Sequence, residues 1–397
     1  MSPATEESIT TPYAPNDRGS AGAERALWLL EEGVGAGELP GGVLMASVGG
    51  RLITQVARGT KLPARAASVV SGETIEVDTV FDLGGLSETI CTATLMMRLV
   101  SAGKVGVLDR ASRFLQALGI GQRSGITLAH LLSHSAGFPA GVTVYDELVR
   151  ANAGPRPGIL ASSGAKQYAY NHFHNLALRF EAGTRQLHSD ANYIVLGEIC
   201  EIVTGLPLEK AFSRFVAAPL QLRSLNFIDL ATLRRRNIRP MVELFAPSGE
   251  CPRRERVLAG EVWDENAWVM GGVAGHAGLF GTARDVHTWA LEMLRALRGE
   301  SQLCTQETAR TFMYPELPQL KAGLKLGFDA FIKDAGSEQQ GASTAVTTIN
   351  AGGCSVVLDP ALDMATVFLS NAPFSAHHNK RFPALRAEIH AALLETV

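Results

Sequence analysis

Strand-like segments at both ends of the chain and helical segments between them predict an α/β protein of the α+β kind. Its antiparallel sheet is built from the N- and C-terminal segments and flanked by helices, with a mainly helical domain inserted. Three observations carry this. "PGGVLMASVGGRLITQVARG" is two apolar runs joined by Gly49-Gly50, a two-residue hairpin signal. "STAVTTINAGGCSVVLD" and "DMATVFLSNA" bring strand patterns back near the end. Between them the apolar residues recur at i, i+3 and i+4.

Taken in order, residues 1–20 read as a polar, flexible arm, and "AERALWLLEEGV" from Ala23 has helical spacing. The hairpin follows. "TATLMMRLVSAGK", "TLAHLLSHSAG", "NYIVLGEICEIVTG", "LEKAFSRFVAAPL" and "TARDVHTWALEMLRALRG" are then expected as helices, before the strand-like "KLGFDAFI", the two later strands and the closing helix "FPALRAEIHAALLETV". The chain therefore divides into residues 21–85 plus 282–397, forming a sheet-and-helix domain, and residues 86–281, mainly helical. A cleft between the two is the expected active site.

Composition excludes several classes of function. Of 397 residues 46% are hydrophobic and 19% charged, with a net charge of −3, a profile that supports a packed core. No basic run interleaved with aromatic residues is present, so nucleic-acid binding is not expected. No window approaches the ~18 apolar residues of a membrane span, and the polar, acidic N-terminus lacks a signal-peptide core, so the expected location is cytoplasmic, with no membrane association. Cys91, Cys200, Cys251, Cys304 and Cys354 are scattered without CxxC spacing and read as free thiols. Neither a cofactor nor a metal is expected. The expected partner is a small molecule, and the sequence leaves the oligomeric state open.

Five segments carry a family likeness: "FDLGGLSETICTATLMMRLVSAGKVGVLDRASRFL", "ITLAHLLSHSAGFP", "EAGTRQLHSDANYIVLGEICEIVTGLPLE", "DENAWVMGGVAGHAGLFGTARDV" and "VVLDPALDMATVFLSN". Together they resemble the serine β-lactamases of the class C type, with their penicillin-binding-protein and esterase relatives. The likeness runs from about Pro40 to Asn371 and implies a β-lactamase-like fold. That chemistry needs a serine at a helix N-terminus and a lysine one turn later. The resemblance puts Gly85 at the serine position and Glu88 at the lysine position. His188-Ser189-Asp190 falls where the family has Tyr-x-Asn, and Thr348-Ile349-Asn350 where it has Lys or His followed by Thr-Gly.

Serine acyl transfer by the family route is therefore not expected. Glu88, His188 and Asp190 instead offer a carboxylate and imidazole set for proton transfer, with His188 as acid and Glu88 or Asp190 as base. Gly85, Trp263, His276, Thr348 and Asn350 are the expected substrate contacts, and Trp268 with Trp263 would make the walls aromatic. The implied function is a repurposed small-molecule tailoring enzyme, performing isomerisation, cyclisation or hydrolysis in bacterial secondary metabolism. A pseudoenzyme that only binds a ligand or partner is the alternative, as is a hydrolase or acyltransferase using Ser87, Ser189 or Cys354 as nucleophile.

Each site residue also has a plainer reading. Glu88 offsets a helix dipole, His188 is a hydrogen-bonded loop residue, and Asp190 caps the helix that begins near Asn192. His130 and His134, four apart, have the spacing of a metal pair, but the resemblance assigns them to the scaffold. His172 and His174 carry no assigned role.

Overall fold

The computed structural model describes residues 17–62, 73–155, 158–318, 320–331, 344–350, 352–372 and 381–395. The first helix, α1 (Asp17–Gly35), begins inside the stretch expected to be an arm; residues 1–16 lie outside the described residues. Strands β1 (Gly41–Val48) and β2 (Arg51–Gly59) form the expected hairpin, and the φ angles of 56° and 74° at Gly49 and Gly50 suit its tight turn. Only glycine takes two such angles in succession without strain.

Short strands β3 (Phe81–Asp82), β4 (Asn226–Phe227), β5 (Gly249–Cys251), β6 (Arg256–Leu258) and β7 (Leu279–Gly281) follow. The main sheet is completed by β8 (Asp329–Ala330), β9 (Val346–Ile349), β10 (Ser355–Asp359) and β11 (Met364–Ser370), in the order β2-β1-β11-β10-β9-β8. All its pairings are antiparallel, and β1 meets β11 from Gly42↔Ser370 to Val48↔Met364. The two ends of the chain thus share one sheet, as expected.

Alternation along β1 divides the core. Leu44 and Ala46 join Leu29, Leu30, Leu385 and Ile389, from α1 and the closing helix Phe382–Leu394, on one face. Val43 and Met45 face the larger cluster that contains Trp289 of the long helix Ala283–Arg298. Trp289 is fully buried, and its indole N–H donates to Thr94 Oγ1 at 3.0 Å.

Two features depart from expectation. The middle region holds β4, β5, β6 and β7 besides its helices, with β7 between β3 and β4 in a three-stranded sheet. "KLGFDAFI" yields only β8, because Gly327 is spent against the helices. Its N–H reaches Leu132 O, its carbonyl accepts from Thr89 Oγ1, and a Cβ there would lie 2.4 Å from Ala93 Cβ. Among the described residues no single helix is long and apolar enough to cross a membrane.

Candidate active site

A cleft of about 420 Å³ is lined by residues of the main sheet and of the segments between its strands. Its floor is Gly84, Gly85 and Glu88, its sides are His188 with Asp190 and Trp263 with Asp264 and His276, and Ile349, Asn350 and Ser370 close it from the main sheet. Among the described residues lining it there is no lysine or arginine.

Glu88 opens a π-helical turn, Glu88–Ala93, that runs into the helix Thr94–Ser101, so its acid sits in a first turn as the dipole favours. The side chain is also a member of the site. Glu88 Oε2 lies 3.3 Å from His134 Nε2 and 3.4 Å from His188 Nε2. Burial alone would raise the Glu88 carboxyl, but the two imidazoles overcome that and hold it at about 2. Glu88 is thus an ion at neutral pH. Its contact with the exposed His188 raises that imidazole in turn, against the effect of partial burial.

The resemblance assigned His134 to the scaffold, and geometry brings it into the site. Helix Leu128–Leu132 ends just before it, and His134 turns back with φ 53°. Its carbonyl accepts from Leu187 N–H at 2.9 Å, so the 134 segment holds the 188 loop directly. The imidazole Nδ1 accepts from Ser189 N–H and Asn192 Nδ2, both at 3.3 Å, which leaves the ring proton on Nε2 facing Glu88. The His134 and His188 rings sit 4.2 Å apart between centroids.

Asp190 is the first residue of helix Asp190–Thr204, whose N-cap is Ser189. The expected capping role is therefore corrected: residue 190 is helical, and its carboxylate lines the cleft. Burial, with Asp264 and Glu88 nearby, raises it above the usual carboxylate range, against the pull of His276 and His188.

On the opposite wall His276 Nε2 lies 2.8 Å from Asp264 Oδ1, an oxygen that also accepts Ala267 N–H at 2.7 Å. Burial would lower the imidazole, yet the Asp264 charge and hydrogen bond carry it to about 9. Asp264 and Asp82 are further residues the sequence reading missed. The Asp82 carboxylate accepts from Trp263 N–H at 2.7 Å and Gly84 N–H at 3.0 Å, fixing both sides of the cleft, and burial lifts it to about 6 despite those donors.

Trp263 lines the cleft as expected, whereas Trp268 packs on Tyr145 and the Arg234 and Arg254 guanidinium groups. Thr348 is corrected as a substrate contact: it is buried, with its hydroxyl 2.8 Å from Thr89 Oγ1, and its neighbour Ile349 lines the cleft instead. Asn350 borders the cleft, but its amide donates to Leu83 O at 2.6 Å and accepts from Cys354 N–H at 2.8 Å, so it braces the Gly84-Gly85 turn. His130 Nδ1 accepts from Thr127 N–H and His174 pairs with Glu198; both are scaffold.

The possible nucleophiles named from sequence are occupied. Ser87 is buried with its Oγ accepting Leu279 N–H, and Ser189 Oγ donates to Pro139 O at 2.6 Å. Burial pushes the Cys354 thiol up to about 12, far from a reactive thiolate.

Two groups bring three ligand-type atoms together: Glu88, His134 and His188, and Asp190, Asp264 and His276. Neither fits a metal well. A metal-binding histidine donates its other N–H to an acceptor, but His134 Nδ1 faces two donors. In the second group His276 Nε2 and Asp264 Oδ1 are already bonded to each other.

Comparison with known proteins gives a consistent result. The Beta-lactamase family model matches residues 29–391. N-acetylmuramyl-L-alanine amidase of Bacillus subtilis (strain 168) is 28% identical over 306 residues, 72% of this chain and 66% of that protein. A putative D-alanyl-D-alanine carboxypeptidase of Escherichia coli (strain K12) is 29% identical over 321 residues, 75% of this chain and 70% of that protein. The chain thus spans about two thirds of the length of these relatives. Among solved structures, EstCE1, a hydrolase with promiscuous acyltransferase activity, superposes with a TM-score of 0.69 at 22% identity, covering 95% of this chain and 100% of that one. The octameric penicillin-binding protein homologue from Pyrococcus abyssi gives 0.67 at 16%, covering 94% and 77%.

Proposed function

This chain belongs to the β-lactamase family, with a hydrolase-like scaffold, and we propose that its cleft performs non-covalent acid–base chemistry on a small molecule. Isomerisation, cyclisation or hydrolysis in a tailoring step of bacterial secondary metabolism fits this reading. The observation that carries it is Glu88, an ionised carboxylate shared by two imidazoles in the first helical turn, at the position that the family resemblance implies for an amine. Gly85 beside it has no side chain to acylate.

The geometry also divides the roles. A carboxyl held near 2 is a weak base at neutral pH, so Glu88 favours the protonated form of His188 and places its ring. Asp190, raised by its surroundings and facing the cleft, is the better proton acceptor. His188, at the mouth with its imidazole raised, is the acid.

Intact-protein mass spectrometry after treatment with a fluorophosphonate and with a β-lactam tests this reading. No adduct is expected on the native chain. An adduct on a residue lining the cleft would replace the proposal with covalent catalysis.

A further inference from the structure

The wall opposite Glu88 holds a buried imidazole whose second nitrogen is unexplained by the fold. His276 sits on a turn that only glycine can build: Gly271, Gly272 and Gly278 have φ of 100°, 85° and 108°, and a Cβ on Gly275 would lie 1.9 Å from Tyr193 O. Thr92 Oγ1 pins the same turn by donating to Gly275 O at 2.6 Å. His276 Nε2 is committed to Asp264. Its Nδ1 is buried and has no hydrogen-bond partner among the described residues, although the ring, only 3% exposed, lines the cleft. A buried polar atom left so is destabilising.

Resting on the acid–base reading above, we propose that His276 is a second catalytic acid, whose Nδ1–H receives the carbonyl oxygen of a small substrate bearing an acidic C–H bond next to that carbonyl. Asp264 is its positioning residue, fixing the ring and the proton through Nε2. The Asp264 charge keeps the ring an imidazolium at neutral pH, so Nδ1 carries a proton to offer. Asp190 supplies the complement, because a carboxylate oxygen of Asp190 and a ring nitrogen of His276 lie within 4.8 Å.

The step balances without a co-reactant. The C–H bond breaks and its proton passes to the Asp190 carboxylate. The electron pair of that bond forms C=C, the carbonyl π pair moves to oxygen, and the Nδ1 proton of His276 meets the charge developing there. His188 then gives its proton to a different carbon to form an isomer and regains one through solvent as Asp190 releases the proton it took, whereas return of that proton from Asp190 to the same carbon gives the substrate back. Phe81 and Trp263 among the lining residues suit a flat, conjugated molecule.

The test is binding of 4-nitrophenol, whose phenolate mimics the enolate and absorbs differently from the neutral phenol. Native protein is expected to hold it as the phenolate. His276→Gln should weaken that binding at least about tenfold, the worth of one charge-assisted hydrogen bond. In Asp264→Asn, binding should weaken and the ¹⁵N signals of His276 should leave the imidazolium position at pH 8. Asp190→Asn should bind no less tightly, since it removes a negative charge. Should His276→Gln fail to fold, Asp264→Asn carries the test through the same two readouts. The proposal is overturned if 4-nitrophenol does not bind, binds as the neutral phenol, or binds equally to the His276 and Asp264 variants. Because only binding is read, this failure is separate from any failure to find turnover.

Discussion

Glu88 Oε2 and His188 Nε2 face each other across 3.4 Å at the mouth of the cleft, and the same oxygen meets His134 Nε2 at 3.3 Å. One carboxylate thereby favours the charged form of an exposed imidazole while a half-buried imidazole steadies it from behind. Glu88→Gln should therefore lower the His188 pKa toward its ordinary 6.5, as NMR titration of the ring would show. An unchanged His188 titration would mean that the pair is not coupled in solution.

Acid should unfold the protein by a route the structure specifies. Glu88 lies at about 2 when folded against an ordinary 4.5, so its contribution, on the order of 3 kcal/mol, is complete above pH 4.5 and lost as pH falls toward 2. His390 adds to this. It is buried between Ser355 Oγ and Thr366 Oγ1, both at 2.7 Å, and burial depresses it to about 3, so protonation on unfolding costs stability as pH falls from 6.5 toward 3. Urea denaturation from about pH 7 down to about pH 2 should show the decline, and His390→Gln should flatten its upper part while leaving the part below pH 4.5 that Glu88 sets.

The alkaline side has the opposite sign. His276 is raised to about 9 from 6.5, so its ion pair with Asp264 stabilises fully below pH 6.5 and is lost as pH rises through 9. Asp264→Asn should reduce the loss of stability over that interval. An identical slope in the variant would separate Asp264 from His276.

The glycine turn beneath His276 leaves no room for a methyl group. Gly275→Ala should cost about 3 kcal/mol or more, because the clash is with backbone, Tyr193 O, and not with a movable side chain. A lowered urea midpoint with an unchanged slope is the expected result.

The architecture was legible where the chain repeats a pattern. The Gly49-Gly50 hairpin, the terminal strands and the long helix Ala283–Arg298 follow from alternation and helical spacing. Strands β4 to β7, of two or three residues each, are too short to show a period. Glu88, His188 and Asp190 do line one cleft, as the family likeness implied. His134, assigned to the scaffold, joins the site because a left-handed residue after a helix end turns it back, and Asp264 escaped notice because, as the N-cap of helix Glu265–Val269, it meets His276 only through a glycine-built turn. Thr348 was misplaced because alternation says that neighbouring residues face opposite ways, not which of them meets the cleft.

The proposed places of the family's serine and lysine, Gly85 and Glu88, offer a converse check. A Cβ on Gly85 would touch only Asn350 Cβ at 3.5 Å, an ordinary contact, so a serine fits there. Gly85→Ser alone should remain unlabelled by a fluorophosphonate, and Gly85→Ser with Glu88→Lys should gain labelling, read by intact mass. Labelling of the single variant would show that the site activates a hydroxyl without an amine.

The most direct measurement of the central claim is incubation of the native chain and of Asp190→Asn with a bacterial small-molecule extract, followed by mass spectrometry of both metabolites and protein. The account predicts a metabolite converted by the native chain, conversion reduced about 10²-fold or more in the variant, and no mass added to the protein. Conversion indifferent to Asp190, a covalent intermediate on the chain, or no conversion at all would contradict it.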